Sequence, residues 1–391
     1  MGMKTHLQAV ESLQQIAPHA RLWASNAACL SLRFPNITCA SCIESCPQGV
    51  LRFGNHGHEL AEGCQECGRC AAVCPTGALA AHGFSLPSAN ASRLIPVECQ
   101  QVSPDELTPN AVQIPCLGGL KTSQLLAQLD GDGNAVALID RGWCQDCRSG
   151  GDEAHPASGH IRHAQQLLEE SGLDGGRIRL VSQPLPLAKR RDHVHEPTLQ
   201  HQVSRRGFMR HLVGQAATVS QVGAPVPKTL GEPVATDGRT RIVPVERLQI
   251  IAALQRLAGK EAALPARLFY QVDIDQQRCD QHQLCAATCP VTALRRIEDE
   301  QGVGIGFHPQ LCTGCGECQY HCPQQAISLT PLNSPLTSLQ PQRLSQHTLQ
   351  RCFDCGHDFP GGKAAITDQD PVCPSCRKSR ELGRALFGGM L

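Results

Sequence analysis

Two runs of the sequence carry four cysteines each at the spacing Cys-x2-Cys-x2-Cys-x3-Cys-Pro. They are Cys64, Cys67, Cys70 and Cys74 before Pro75, and Cys312, Cys315, Cys318 and Cys322 before Pro323. Iron in a cubane cluster takes one thiolate per iron. A short loop at this spacing wraps three irons, while the Cys before proline reaches a second cluster. Two further runs depart from the pattern. In ITCASCIESCP, Cys39, Cys42 and Cys46 are present, but the first position is Asn36, a poor iron ligand. Cys29, ten residues before Cys39, is the nearby replacement; the alternative is a free buried Cys29 beside a three-iron cluster. In RCDQHQLCAATCP, His282 takes the second position between Cys279 and Cys285, with Cys289 before the proline. Imidazole can ligate iron and raises the potential of the centre it joins. A three-iron cluster, or a non-Cys fourth ligand or vacancy, is the alternative there.

The remaining cysteines form two smaller groups. Cys352-x2-Cys355 and Cys373-x2-Cys376 are separated by 17 residues, the spacing of a zinc ribbon, and predict structural Zn2+. A single thiolate-bound iron is the alternative at this module. Cys99, Cys116, Cys144 and Cys147 each follow a short apolar run and predict one shared site. A [2Fe–2S] centre, zinc and a redox-active Cys144–Cys147 dithiol are all open. Together with the four runs above, these groups hold all 23 cysteines. The N-terminus lacks a basic-then-apolar signal pattern and no run reaches a membrane span, so a reducing, cytoplasmic setting is expected and disulfides are not.

Positioning these thiols requires several small domains. The repeat Cys-Pro-x-x-(Val/Ala)-(Leu/Ile) begins at Cys46, Cys74, Cys289 and Cys322 and comes in two pairs, which predicts two internally duplicated domains at 25–85 and 266–332. Aromatic residues make up only 3% of the chain, so bound metal is expected to stand in for large apolar cores. Between the pairs, apolar runs at 94–97, 111–114, 135–139 and 177–181 read as buried strands. They alternate with helical patterns at 121–130 and 159–171, which predicts a small parallel α/β domain over 93–183. Its thiol-bearing segments follow three strands, so all should arrive at the carboxyl rim where open parallel sheets collect ligands. Gly118-Gly119 would let the backbone come close to that site. An N-terminal helix over 1–24, a linker with two helices over 184–265 and a zinc-ribbon-like module over 345–391 complete an α+β multi-domain organisation.

The 25–85 and 266–332 segments resemble dicluster bacterial ferredoxins. The resemblance implies crossed ligation of [4Fe–4S] clusters, three to four in all, with one [3Fe–4S] as the variant. Cys46 would join Cys64, Cys67 and Cys70; Cys289 would join Cys312, Cys315 and Cys318. Cys74 would complete the set of Cys29, Cys39 and Cys42, and Cys322 the set of Cys279, His282 and Cys285. The segment VECQQ…IPCLGGL…DRGWCQDC resembles the iron–sulfur delta subunit of methyl-viologen-reducing hydrogenases, which implies a [2Fe–2S] centre at Cys99, Cys116, Cys144 and Cys147.

The expected function is electron relay as a polyferredoxin, with no catalytic residues of its own. Its partner would be a subunit of a redox enzyme of formate dehydrogenase, hydrogenase or other molybdoenzyme type. A scaffold or maturation protein for such an enzyme, and a thiol-reducing enzyme working through Cys144 and Cys147, are the alternatives. With 35 basic and 35 acidic residues there is no global field to draw nucleic acid, and none is expected as a partner. Ser204–Arg210 looks like a twin-arginine motif but lies two hundred residues inside the chain, so it reads as a helix start or the trace of a fusion. The basic tract from Lys189 to Arg210 reads as a solvated linker or a docking surface for an acidic partner.

Overall fold

The computed structural model describes residues 14–18, 20–86, 93–131, 133–150, 155–191, 241–300, 302–361 and 371–387. The twin-arginine segment, most of the basic tract and the first helix expected in the 184–265 segment lie outside the described residues. So do residues 1–13 of the expected N-terminal helix. Its described remainder corrects the expectation: Gln14–Gln15 pairs antiparallel with Leu22–Ala24, which pairs in turn with Leu79–Ala81. Leu22 and Ala24 bury on one side in alternation, a strand period rather than a helical one.

The four Cys-Pro repeats share one local structure. In each, the fourth residue donates its N–H to the Cys carbonyl: Gly49 to Cys46, Gly77 to Cys74, Thr292 to Cys289 and Gln325 to Cys322. That fourth residue is left-handed every time, with φ of 61°, 68°, 54° and 49° in the same order. The turn ends a one-turn helix and launches a strand: Leu51–Gly54, Leu79–Ala81, Leu294–Asp299 or Ile327–Pro331. Glycine adopts this conformation freely in the first pair, whereas Thr292 and Gln325 carry a steric cost of about 1–2 kcal/mol each. The second pair keeps the turn despite that cost.

The middle of the chain forms a four-stranded sheet of Leu94–Cys99, Val112–Ile114, Ala135–Asp140 and Ile178–Ser182, every pair parallel. In space the second strand is at one edge, followed by the first, third and fourth. Helices Thr122–Ala127 and Ser158–Glu170 supply Leu125, Leu126, Ala164, Leu167 and Leu168 to its core.

A third helix joins that core from the segment read as a linker. Val245–Ala258 buries Ile250, Ile251, Ala253 and Leu254 among the same residues, while Val245 at its start is 39% exposed. The helix also caps its neighbour at both ends. Glu246 accepts from the Ser123 N–H and Oγ at 2.9 and 2.6 Å, and Arg256 donates to the Leu126, Ala127 and Leu129 carbonyls at 3.2, 3.3 and 2.7 Å. An anion at the start and a cation at the end of Thr122–Ala127 satisfy orphan backbone groups and complement its dipole.

Beyond it, Tyr270–Ile274 pairs with Ile327–Pro331, and Leu294–Asp299 pairs with Gly302–Phe307. Gln342–His347 adds a third strand to the latter pair. The chain continues into a hairpin of Leu349–Arg351 and Asp358–Pro360, then the helix Pro374–Phe387.

Candidate metal centres

In the first cysteine-rich segment the thiols sort into two neighbouring sets. Cys46, Cys64, Cys67 and Cys70 line one cavity, walled by Leu22, Val50, Leu51 and Leu60. Burial, then the Cys67, Cys64 and Cys46 sulfurs, pushes the Cys70 thiol far up. In the other set, Cys42 is pushed up to about 12 by burial and by Cys74, Cys29 and Cys39. Cys29 is raised by burial and feels Cys74 and Cys39, whereas Asn36 is exposed. Cys42 also acts on Cys70, so the two sets adjoin.

The later segment repeats the arrangement. Cys318 is pushed up to about 12 by burial, Cys289, Cys312 and Cys315, and more weakly by Cys285 across the gap to the second set. That second set, Cys279, Cys285 and Cys322, lines a cavity with Gln281, His282 and Gln283. Its loop keeps the path of the complete one: Gln281 and Gln283 have φ of 62° and 60°, where Gly314 and Gly316 have 71° and 79°. His282 thus occupies the backbone position of Cys315. Its Nε2 lies 3.0 Å from Asp280 Oδ1, and Gln281 Nε2 donates to Cys279 Sγ at 3.3 Å.

With this geometry in hand, the comparisons with known proteins are specific. A 4Fe-4S dicluster domain model matches residues 37–78, and a 4Fe-4S binding domain model matches residues 305–328. The chain carries two 4Fe-4S ferredoxin-type domains. Pyruvate synthase subunit PorD of Thermotoga maritima is 36% identical over 58 residues, 15% of this chain and 56% of that protein. The chain therefore spans about half the length of the curated relative it matches. These domains give the protein a role in iron–sulfur electron transfer. No described helix is long and apolar enough to cross a membrane.

The middle thiols gather at the carboxyl end of the parallel sheet. Cys99 ends its strand and is pushed up to about 11 by burial, with Cys147 raising it further and Arg190 opposing. Cys144 rises to about 12 through burial, Asp140, Cys99 and Cys147. Cys116 is buried and feels Cys99, Cys144 and also Cys67 of the first ferredoxin-type domain.

Two glycines allow the close approach to the first ferredoxin-type domain, Gly119 at Cys67 and Gly118 at Arg69. A Cβ on Gly119 would lie 2.5 Å from the Cys67 carbonyl oxygen and 2.2 Å from the Phe84 ring. On Gly118 it would meet Pro156 at 2.8 Å and the Arg69 side chain at 3.2 Å. The close approach the sequence suggested is thus made to the ferredoxin-type domain as well as to Cys116. Arg69 donates to the Gly150 carbonyl at 2.9 Å, and Gln48 to the Arg148 carbonyl at 2.7 Å, tying the loop of Cys144 and Cys147 to the same domain.

Sequence reading missed the charged residues around this site. Glu98, fully buried beside Cys99, receives Arg141 in a bidentate pair at 2.9 Å for each oxygen. The pair joins the strand carrying Cys99 to the turn before Cys144. Burial alone would raise Glu98, but hydrogen bonds from Arg141 and Thr108 hold its carboxyl below the usual range. Asp140, Cys144 and His155 also converge, their ligating atoms all within 4.8 Å of one another. A buried-strand pattern interrupted by Glu98 was the available signal for the ion pair. His155 had none.

At the C-terminus, Cys352, Cys355, Cys373 and Cys376 present sulfurs all within 4.8 Å, the span that one tetrahedral ion needs. The Cys373 N–H donates to Cys352 Sγ at 3.2 Å, and this bond pushes the Cys352 thiol down to about 6. Gly356, with φ of 70°, returns its N–H to the Cys352 carbonyl and turns the knuckle.

Proposed function

We propose that this chain is a polyferredoxin whose five thiol sets hold iron–sulfur centres in series, with a structural zinc at the C-terminus. When bound, such clusters supply one-electron relay. The fit rests on the donor sets: clustered, buried thiols that oppose one another's ionisation until a cation arrives. Cys46, Cys64, Cys67 and Cys70 would hold one [4Fe–4S] cluster, and Cys289, Cys312, Cys315 and Cys318 another. Cys29, Cys39, Cys42 and Cys74 would hold a third, with Cys29 taking the place of Asn36. Cys279, Cys285 and Cys322 would hold the fourth, as [4Fe–4S] with His282 or as [3Fe–4S]. The retained left-handed residues around His282, at a steric cost, support its role as a ligand. Cys352, Cys355, Cys373 and Cys376 would take Zn2+.

For the middle site, the mutual influence of Cys99, Cys116, Cys144 and Cys147 supports one shared centre, and the resemblance to the hydrogenase delta subunit favours two irons over a single zinc. The raised Cys144 thiol argues against the thiol-reducing alternative, since the thiolate is the nucleophile.

One observation carries the series: Cys116 adjoins Cys67, and Cys70 adjoins Cys42. The first domain then continues into the second, because Leu30, Phe34, Ile37 and Cys39 share a core with Cys289, Val291 and Cys318. The partner is a redox enzyme. Formate dehydrogenase and hydrogenase types follow from the resemblance of the middle segment, and likeness to PorD adds a pyruvate synthase. Metal analysis of anaerobically purified protein tests the reading, with about 14–18 iron expected from the ligand sets and about one zinc. Cys67→Ser and Cys315→Ser should each remove about four iron from one domain. Iron below half that range with excess zinc refutes the polyferredoxin.

A further inference from the structure

His155 lies at the start of the helix Ser158–Glu170, on the side of the middle sheet where Cys144 emerges. Its carbonyl accepts the Ser158 N–H at 2.8 Å, and the Pro156 that follows packs against Gly118. The imidazole is therefore held by a rigid element. Its side chain is 8% exposed, and Nδ1 accepts the Ala157 N–H at 3.2 Å. With Nδ1 accepting, the neutral ring carries its proton on Nε2. Yet Nε2 is buried without a hydrogen-bond partner. The Asp140 Oδ1 is 4.0 Å away, too far to accept, and is already engaged by the Gly142 N–H at 2.8 Å. Among acidic and thiol groups, Cys144 Sγ also lies within 4.8 Å of a nitrogen of this ring and of the Asp140 carboxylate. A buried, unused N–H costs about 1–3 kcal/mol unless something accepts it. A metal-bound thiolate is such an acceptor, and a protonated thiol is a weak one.

We propose that His155 donates its Nε2–H to the Cys144 sulfur of the loaded middle centre and thereby raises that centre's reduction potential. The proposal rests on the reading that Cys99, Cys116, Cys144 and Cys147 hold an iron–sulfur centre. Donation, rather than ligation, follows from the tautomer: a ligating imidazole normally donates from its other nitrogen, but here that nitrogen faces an N–H. His155 is a positioning residue, acting on the centre through Cys144. Hydrogen bonds to cluster sulfurs stabilise the more negative, reduced state.

The test is redox titration of full-length protein purified anaerobically, following the middle centre by its own electron paramagnetic resonance signal. Cys116→Ser first identifies that signal as the one lost together with about two iron. In His155→Leu the oxidised-to-reduced ratio at a fixed potential should rise about tenfold, equivalent to 59 mV for one electron. Iron content and the potentials of the other centres should stay unchanged. His155→Gln, which keeps an N–H, should recover most of the shift. An unchanged potential in His155→Leu overturns the proposal, as does an equal shift in both variants. Loss of the middle centre's iron in both makes His155 a ligand and overturns donation. If Cys116→Ser removes neither iron nor signal, the reading of the middle site itself fails, and the proposal with it.

Discussion

Replacing Arg141 with Met should loosen the middle sheet while leaving the ferredoxin-type domains intact. Arg141 gives Glu98 two hydrogen bonds of 2.9 Å and contacts Thr108 Oγ1, the Glu106 carbonyl and the Gln183 carbonyl at 3.1, 3.3 and 3.2 Å. Without it, the Glu98 carboxylate stays fully buried with Thr108 as its remaining donor, through the N–H at 2.8 Å and the hydroxyl. Breaking one side of a buried pair costs about 3–5 kcal/mol. Local opening of the strands should then become easier by roughly two to three and a half orders of magnitude, at 1.4 kcal/mol per tenfold. Amide hydrogen exchange of the loaded protein, read by mass spectrometry on peptides spanning 94–99 and 135–140, measures this directly. The double variant Glu98→Gln, Arg141→Met removes the stranded charge and should recover most of the protection. Because folding holds the Glu98 carboxyl below its unfolded value, the pair contributes fully above the ordinary carboxylate range. Its contribution is lost as pH falls through the folded value. The gap between wild type and Arg141→Met should therefore narrow on acidification. Protection within threefold of wild type, or an equal loss in the double variant, refutes the assignment.

Gly119→Val should force the middle sheet and the Cys67 loop apart, since its Cβ would lie 2.5 Å from the Cys67 carbonyl; overpacking of this kind costs about 1–3 kcal/mol. Rapid-freeze spectroscopy should show slower electron exchange between the middle centre and the first ferredoxin-type domain at unchanged iron content, and an unchanged rate rejects this junction. Cys29→Ala should remove or convert only the centre assigned to Cys39, Cys42 and Cys74; identical iron content and reduced spectrum would exclude Cys29 as a ligand. His282→Cys should yield an all-thiolate cubane with a lower potential than a His-ligated one, because thiolate adds negative charge. A resident three-iron cluster would instead show its isotropic resonance in the wild type and lose it on substitution. No change in cluster type or potential leaves His282 outside the centre.

The cysteine spacings were legible because a cluster-binding loop is a local object. Three thiols two residues apart, and a Cys-Pro turn closed by a left-handed residue, need no distant partner to take shape. The apolar runs at 94–97 and 135–139 were legible for a similar reason: strands buried on both faces read as continuous apolar stretches. Residues 14–24 were misread because strands of two and three residues are too short to establish a period. The helix Val245–Ala258 was read as part of a linker because its core lies more than a hundred residues away, on Leu125, Leu126 and Leu129.

By itself the sequence determined which thiols belong to one loop, the repetition of the Cys-Pro turn and the ribbon spacing at the C-terminus. Only the tertiary structure decided that Cys29 and not Asn36 faces Cys39, Cys42 and Cys74, and that Cys116 adjoins Cys67. The same holds for the seating of Arg141 on Glu98 and for the approach of His155 to Cys144. The physical reason is one of range. Ligand spacing is set by a few backbone dihedrals, whereas these juxtapositions arise from packing between segments tens of residues apart. That packing turns on details as small as the missing Cβ of Gly119.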